Sequence, residues 1–234
     1  ERLVDAAANL VAIASGHGAH LQLFRLEAGF AIKLRTRSSN GGCGDADGTG
    51  SRVWRASRAA ATRCASGFVK PGQRVVELGC GCGLVGVACG LLGASEVILC
   101  DSDEDALKLA RENAALNDTP VAVTRRFDWS ATTSQSPVAE RVIACDCVYD
   151  VGMSAPLVRA VLRALERGED ARALVILDQD EKRSIAAKEE VSLFAVELEK
   201  QHELAWSREP VRGGESDHLH VYMISRREPS PLEE

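Results

Sequence analysis

The residues best placed to do chemistry lie in the run Val75-Val76-Glu77-Leu78-Gly79-Cys80-Gly81-Cys82-Gly83. An apolar stretch ends in an acid, and Gly79, Gly81 and Gly83 follow at alternate positions. Glycine lets a backbone approach a ligand closely. A strand over 74–78 and a helix over 83–93 would put this turn at the carboxyl end of a sheet strand, where open α/β sheets bind their ligands. The next apolar stretch, Glu96 to Asp101, also closes on an acid, with Ser102 behind it. A carboxylate at that place can accept both hydroxyls of a ribose, so the pair reads as the site of a nucleoside-containing cofactor. Gly81, Gly83 and Gly86 also fit the dinucleotide fingerprint, with Asp101 about 20 residues on. Glu77 argues against a pyrophosphate there and for a cationic ligand. Tyr149 and Tyr222 lack a lysine four residues later, so the Tyr–Lys pair of short-chain dehydrogenases is missing.

These residues need a frame, and the chain supplies one from residue 74 onward. Strands are predicted over 74–78, 96–101, 121–126, 141–148 and 171–177. Helices are predicted over 83–93, 104–117, 155–167 (with Gly168 past its end) and 184–200. The strands are almost wholly apolar, as in a parallel sheet covered on both faces. Residues 202–206 and 218–226 form a closing antiparallel pair, and 227–234 a disordered tail. Upstream, residues 1–16 read as a short helix, 21–37 as a β-hairpin, 38–50 as a mobile glycine-rich loop, and 52–68 as a helix led by Trp54. The resulting division is an extension over 1–50, a cofactor-binding domain over 51–225 and a tail over 226–234.

The chain has 234 residues with a net charge of −6, 45% hydrophobic and 26% charged residues. These are globular proportions, and they disfavour a strongly basic nucleic-acid binder. No apolar run reaches the ~18 residues of a membrane helix. The eight cysteines sit mostly within apolar runs and read as small buried hydrophobes of a reduced compartment. Cys80/Cys82 and Cys145/Cys147 are C-x-C pairs, not the spacing of a structural zinc site, so no metal is expected. The chain opens on Glu1, which leaves localisation open; cytoplasm is the expectation, nucleus the alternative.

The segment Glu77–Gly83 resembles the first motif of class I S-adenosylmethionine-dependent methyltransferases, E/D-x-G-x-G-x-G. Three further segments resemble methyltransferase family 16, the methyltransferase-like protein-lysine methyltransferases. They are Gly48-Thr49-Gly50-Ser51-Arg52-Val53-Trp54, Asp128-Trp129, and Asp146-Cys147-Val148-Tyr149, a D-x-x-Y motif after the fourth strand. The resemblance implies a seven-stranded, Rossmann-like sheet, mostly parallel with an antiparallel terminal strand, plus an N-terminal hairpin and helix. It implies that S-adenosylmethionine is held by Trp54, Glu77, Gly79, Cys80, Gly81, Gly83, Asp101, Ser102, Asp128, Trp129 and Cys145. Within that set Glu77 would hold the ammonium, Asp101 the ribose and Trp129 the adenine. Asp146 and Tyr149 would face the acceptor amine. The implied partner is a protein, with chaperones and translation factors among the candidates, and the implied state is a monomer. A small-molecule acceptor and a noncatalytic cofactor-binding module stand as alternatives. Cys80 and Cys82 replace the Ala or Thr common in the family.

Overall fold

A computed structural model describes residues 11–16, 19–26, 29–37, 49–131, 135–180, 182–210 and 218–227. The mobile loop expected over 38–50 and the tail over 227–234 lie almost wholly outside these residues.

From residue 74 the chain alternates strand and helix as expected. The strands are β4 (Arg74–Leu78), β5 (Glu96–Asp101), β6 (Ala122–Arg126), β7 (Arg141–Cys145) and β8 (Arg172–Asp178). The helices are α2 (Leu84–Leu91), α3 (Glu104–Leu116), α4 (Ser154–Ala164) and α5 (Ile185–Glu199). Strands β9 (Leu204–Pro210) and β10 (Leu219–Arg226) close the chain. Among the described residues the sheet has seven strands in the order β6-β5-β4-β7-β8-β10-β9. All neighbours are parallel except β10, which runs antiparallel to both β8 and β9. The chain steps outward from β4 to β5 and β6, then returns to place β7 on the other side of β4. That reversal opens a crevice at the carboxyl ends of β4 and β7.

Both faces of the sheet are covered, which explains the unbroken apolar strands. Val76, Val142, Ala144, Val175 and Leu177 face a core closed by Val161 of α4, Phe194 of α5 and Tyr222. Val75, Ile143, Leu174 and Ile176 alternate with them and face Cys89 of α2, Leu107 of α3 and Ala60 of α1 (Arg55–Arg63).

Upstream of α1, β2 (Ala19–Arg25) and β3 (Ala31–Arg37) form the expected hairpin. The helix expected over 1–16 is corrected. Val11–Gly16 is a strand, β1, paired antiparallel with β2, while residues 1–10 are outside the description. Its alanines favour helix only weakly, and the free edge of β2 supplies a ladder that outweighs that preference. Phe24, Leu26, Ile32 and Leu34 pack on Ala61, Leu84, Val87, Ala88 and Ala114 of α1, α2 and α3. Two asparagines one helical turn apart on α3 complete the join. Asn113 accepts from the Arg35 N–H (2.7 Å) and donates to the Arg35 carbonyl (3.0 Å). Asn117 does the same at Lys33, at 2.8 and 2.6 Å. Each side chain stands in for one residue of a neighbouring strand and satisfies the edge of β3.

Three helix and strand ends differ from expectation. The helix led by Trp54 ends at Arg63 and continues as a wider turn, Cys64–Phe68, because Gly67 takes φ +102°. Helix α4 stops at Ala164, where Leu165 turns extended and bridges to Ala139. Strand β7 stops at Cys145 and not at 148, because Asp146 takes φ +58°.

Candidate functional site

Four acids mark the carboxyl ends of four adjacent parallel strands. Glu77 is the penultimate residue of β4, Asp101 the last of β5, Asp178 the last of β8, and Asp146 directly follows β7. Glu77, Asp146 and Asp178 are buried and Asp101 is half-buried. Carboxylates gathered away from water repel one another and suit a cationic ligand.

Between β4 and α2 the glycine turn is built for close approach. Gly79 has φ +69°, and a Cβ there would lie 2.6 Å from Cys147 Sγ and 3.2 Å from Trp129 Cη2. That contact brings Trp129, which follows β6, against the turn. Gly81 has φ +50°, and a Cβ there would sit 3.1 Å from the Gly50 carbonyl oxygen. The short turn Thr49–Ser51 therefore rests on the glycine loop. Cys80 is buried and donates its N–H to the Cys100 carbonyl (2.9 Å). Gly83 heads α2 and donates to the Cys80 carbonyl (2.8 Å). Burial pushes the Cys80 and Cys145 thiols well up, so both stand as neutral thiols lining the turn.

Asp101 clasps this loop. Its Oδ2 accepts from the Gly81 N–H (2.9 Å) and its Oδ1 from the Asp103 N–H (3.1 Å). Burial raises its pKa, and the backbone donors work against that. The cap of α3 is Asp103, not Asp101, since Asp103 accepts from the Asp105 N–H (2.9 Å). Ser102 is exposed beside it. Glu77 is 2% exposed and accepts from the Gly86 N–H through Oε2 (2.8 Å). Desolvation pushes its pKa up to about 8; the Gly86 N–H opposes this and the Asp101 charge adds to it.

The D-x-x-Y segment forms the other wall. Cys147 is buried with its Sγ 3.2 Å from the Leu78 carbonyl, which pins the segment to the end of β4. Asp146 is 7% exposed, and its N–H donates to the Ile176 carbonyl (2.8 Å). Its Oδ2 is paired with Arg183, and its buried Oδ1 has no hydrogen-bond partner among the described residues. Desolvation raises the Asp146 pKa to about 6; the Asp178 charge adds to this, and the Arg183 charge, the Asp178 N–H and the Arg55 charge oppose it. Tyr149 stands at the rim, 47% exposed.

Two expected residues have other local work. The exposed Asp128 accepts from the Ser130 N–H (2.8 Å) and Oγ (2.6 Å), which lowers its pKa. It closes a turn, and among the described residues its side chain bonds to Ser130. Trp54 is 37% exposed and donates its Nε1–H to the Thr49 carbonyl (3.0 Å), bracing the turn over Gly81.

Four residues outside the expected set gather beside Asp146: Arg55, Asp178, Asp180 and Arg183. Arg55 of α1 donates Nε–H (3.2 Å) and Nη2–H (2.9 Å) to Asp178 Oδ2 and also pairs with Asp180. Arg183 donates Nη1–H to the Val148 carbonyl (3.3 Å) as well as pairing with Asp146. Asp178 carried a readable signal: it closes an apolar strand, as Asp101 does. Nothing local marks Arg55 or Arg183.

The glycine cradle, the half-buried Asp101 and the adjoining acids together fit a nucleoside with a cationic tail. Comparisons with known proteins agree. The family model described as Lysine methyltransferase matches residues 43–196. A ribosomal protein L11 methyltransferase from Thermotoga neapolitana is 34% identical over 113 residues, 47% of this chain and 38% of that protein. One from Caldanaerobacter subterraneus is 52% identical over 50 residues, 21% and 16% respectively. The chain thus spans well under half the length of the curated relatives it matches. Among solved structures, a ribosomal protein L11 methylase from Lactobacillus delbrueckii aligns with TM-score 0.56 and 17% identity, covering 83% of this chain and 94% of that one. A TehB-like SAM-dependent methyltransferase from Corynebacterium glutamicum aligns with TM-score 0.52 and 16% identity, covering 72% and 88%. At these identities the two structures show the shared fold.

Proposed function

The chain belongs to the lysine methyltransferase family, and from that premise we propose that it methylates an amine on a protein side chain, in the first instance the lysine ε-amine, using S-adenosylmethionine. The observation that carries this reading is the row of acids at the ends of β4, β5, β7 and β8. S-adenosylmethionine, when bound, supplies an electrophilic methyl group on a sulfonium, so no strong nucleophile is needed from the protein. Gly79, Cys80, Gly81 and Gly83 would hold the methionine portion, with Glu77 near its ammonium. Asp101 and Ser102 would meet the ribose. Trp129 would lie along the adenine, with Asp128, Cys145 and Trp54 completing the wall.

A lysine ammonium near neutral pH is about one part in a thousand neutral, a cost of roughly 4 kcal/mol. A buried, ionised Asp146 draws the ammonium in and then orients the amine as water takes the proton. Tyr149 at the rim packs on the lysine stem. Orientation of acceptor and methyl, rather than general-base strength, would supply the rate.

The extension over 1–50 would then set the target, the domain over 51–225 would carry the reaction, and 226–234 would be a tail. The relatives named for ribosomal protein L11 make a ribosomal protein the first target to test, ahead of chaperones and translation factors. A cytoplasmic monomer fits the reading; no described helix is long and apolar enough to cross a membrane. The test is transfer of a labelled methyl group from S-adenosylmethionine into lysate protein, followed by hydrolysis and identification of methyl-lysine. Asp146→Asn is expected to abolish transfer and keep cofactor affinity. Label in a small molecule, or none in any fraction, would overturn the proposal.

A further inference from the structure

Asp146 and Arg183 are 37 residues apart and meet at the mouth of the crevice. Three features define their pairing. The guanidinium engages only one carboxylate oxygen, Oδ2. The other oxygen, Oδ1, is buried and has no hydrogen-bond partner among the described residues. Arg183 also reaches the Val148 carbonyl (3.3 Å), so it spans the D-x-x-Y segment from acid to the residue before Tyr149. A buried acceptor without a donor costs free energy, so natural folds leave few of them. Here the open oxygen belongs to a residue held at φ +58°, a conformation uncommon outside glycine.

We propose that Arg183 is a positioning residue of the acceptor subsite: it clamps Oδ2 so that Oδ1 is presented, ionised, to the acceptor ammonium. The assignment rests on the methyltransferase reading above. Nearby groups fit it. Around Asp146 stand Arg183 from the turn before α5, Asp178 from β8 and Arg55 from α1, with Asp180 beyond. Among the described residues, then, Asp146, Asp178 and Asp180 face the guanidiniums of Arg183 and Arg55, with His218 beside Asp180. The permanent charge on Arg183 also favours the neutral form of the amine that must react.

The test uses the full chain loaded with S-adenosylhomocysteine and n-butylammonium as a probe of the lysine side chain. The carboxyl ¹³C resonance of Asp146, assigned by its loss in Asp146→Asn, reports both titration and binding. In the wild type, butylammonium is expected to shift that resonance saturably. In Arg183→Gln the Asp146 midpoint is expected to rise by about one pH unit and butylammonium to weaken by roughly fivefold or more. Arg183→Lys is expected to recover most of both, and S-adenosylhomocysteine affinity to stay within about twofold throughout. If Arg183→Gln fails to fold, Arg183→Met, which keeps the apolar stem and removes the cation, carries the same comparison. An unmoved Asp146 resonance in the wild type, or equal butylammonium affinity in Arg183→Gln, would overturn the assignment. Failure of the wild type to bind S-adenosylhomocysteine would instead sink the methyltransferase reading and the assignment with it.

Discussion

Glu77→Gln is expected to stabilise the ligand-free fold and to weaken cofactor binding. Glu77 is 2% exposed, and desolvation moves its pKa from 4.5 to about 8. Between those values the unfolded chain carries an ionised carboxylate while the folded chain keeps the proton. The unfolded state then binds fewer protons, so this group lowers stability as pH rises through the window and levels off above about 8. At about pH 7.5 the accumulated penalty is on the order of 4 kcal/mol. Glutamine removes it and keeps an oxygen for the Gly86 N–H. For a chain this size each kcal/mol moves Tm by about 2–4 °C. The Tm gain of Glu77→Gln should be small at about pH 5 and reach roughly 8–16 °C at about pH 7.5. Binding runs the other way. The cofactor ammonium favours the ionised form, so binding releases a proton below about pH 8 and tightens by up to about tenfold per pH unit. Calorimetric melts across that range, with titrations in two buffers of different ionisation enthalpy, read both effects. A Tm gap independent of pH would rule out a raised Glu77 pKa as its source. Unchanged S-adenosylhomocysteine affinity of Glu77→Gln at about pH 8 would rule out Glu77 as the partner of the cofactor ammonium.

Gly79→Ala puts a methyl group against Cys147 Sγ and the Trp129 ring on a left-handed backbone; cofactor affinity in a titration should fall at least about tenfold. Asn113→Ala orphans Arg35 and the Cys82 carbonyl, to which Asn113 also donates (2.8 Å), and should cost about 2–4 kcal/mol in urea unfolding. Asn117→Ala, which loses the more exposed pair at Lys33, should cost less, about 1 kcal/mol, in the same assay.

The parts of the site that were legible in the sequence are local. Val75 through Gly83 reads as strand, tight turn and helix because acid, glycines and apolar residues fall within nine positions. Asp101 is readable because a strand that ends in an acid breaks its own apolar pattern. Asp146 and Tyr149 became visible through resemblance to a family motif. Arg55 and Arg183 were hidden because topology alone gathers them: β8 lies beside β7, so residues 55, 146, 178, 180 and 183 meet only once the sheet is ordered. The end of β7 was misplaced because Asp146-Cys147-Val148 continues an apolar run, and a left-handed aspartate leaves no trace in hydropathy. Val11–Gly16 misled for the opposite reason: its alanines favour helix, and only the free edge of β2 makes it a strand. Asn113 and Asn117 carried a helical spacing that fits a polar helix face equally well, and their partner is β3, 78 to 84 residues away.

Calorimetric titration of the full chain with S-adenosylhomocysteine, with Asp101→Ala beside it, decides whether the crevice at β4 and β5 is a cofactor site. Asp101 holds the Gly81 N–H as well as facing the proposed ribose, so the variant's melting temperature is recorded in parallel. Roughly micromolar binding is expected of the wild type, and at least about a tenfold loss in a variant that still melts cooperatively. A folded wild-type chain that binds NAD(H) and not S-adenosylhomocysteine, or that binds neither, would contradict the methyltransferase reading.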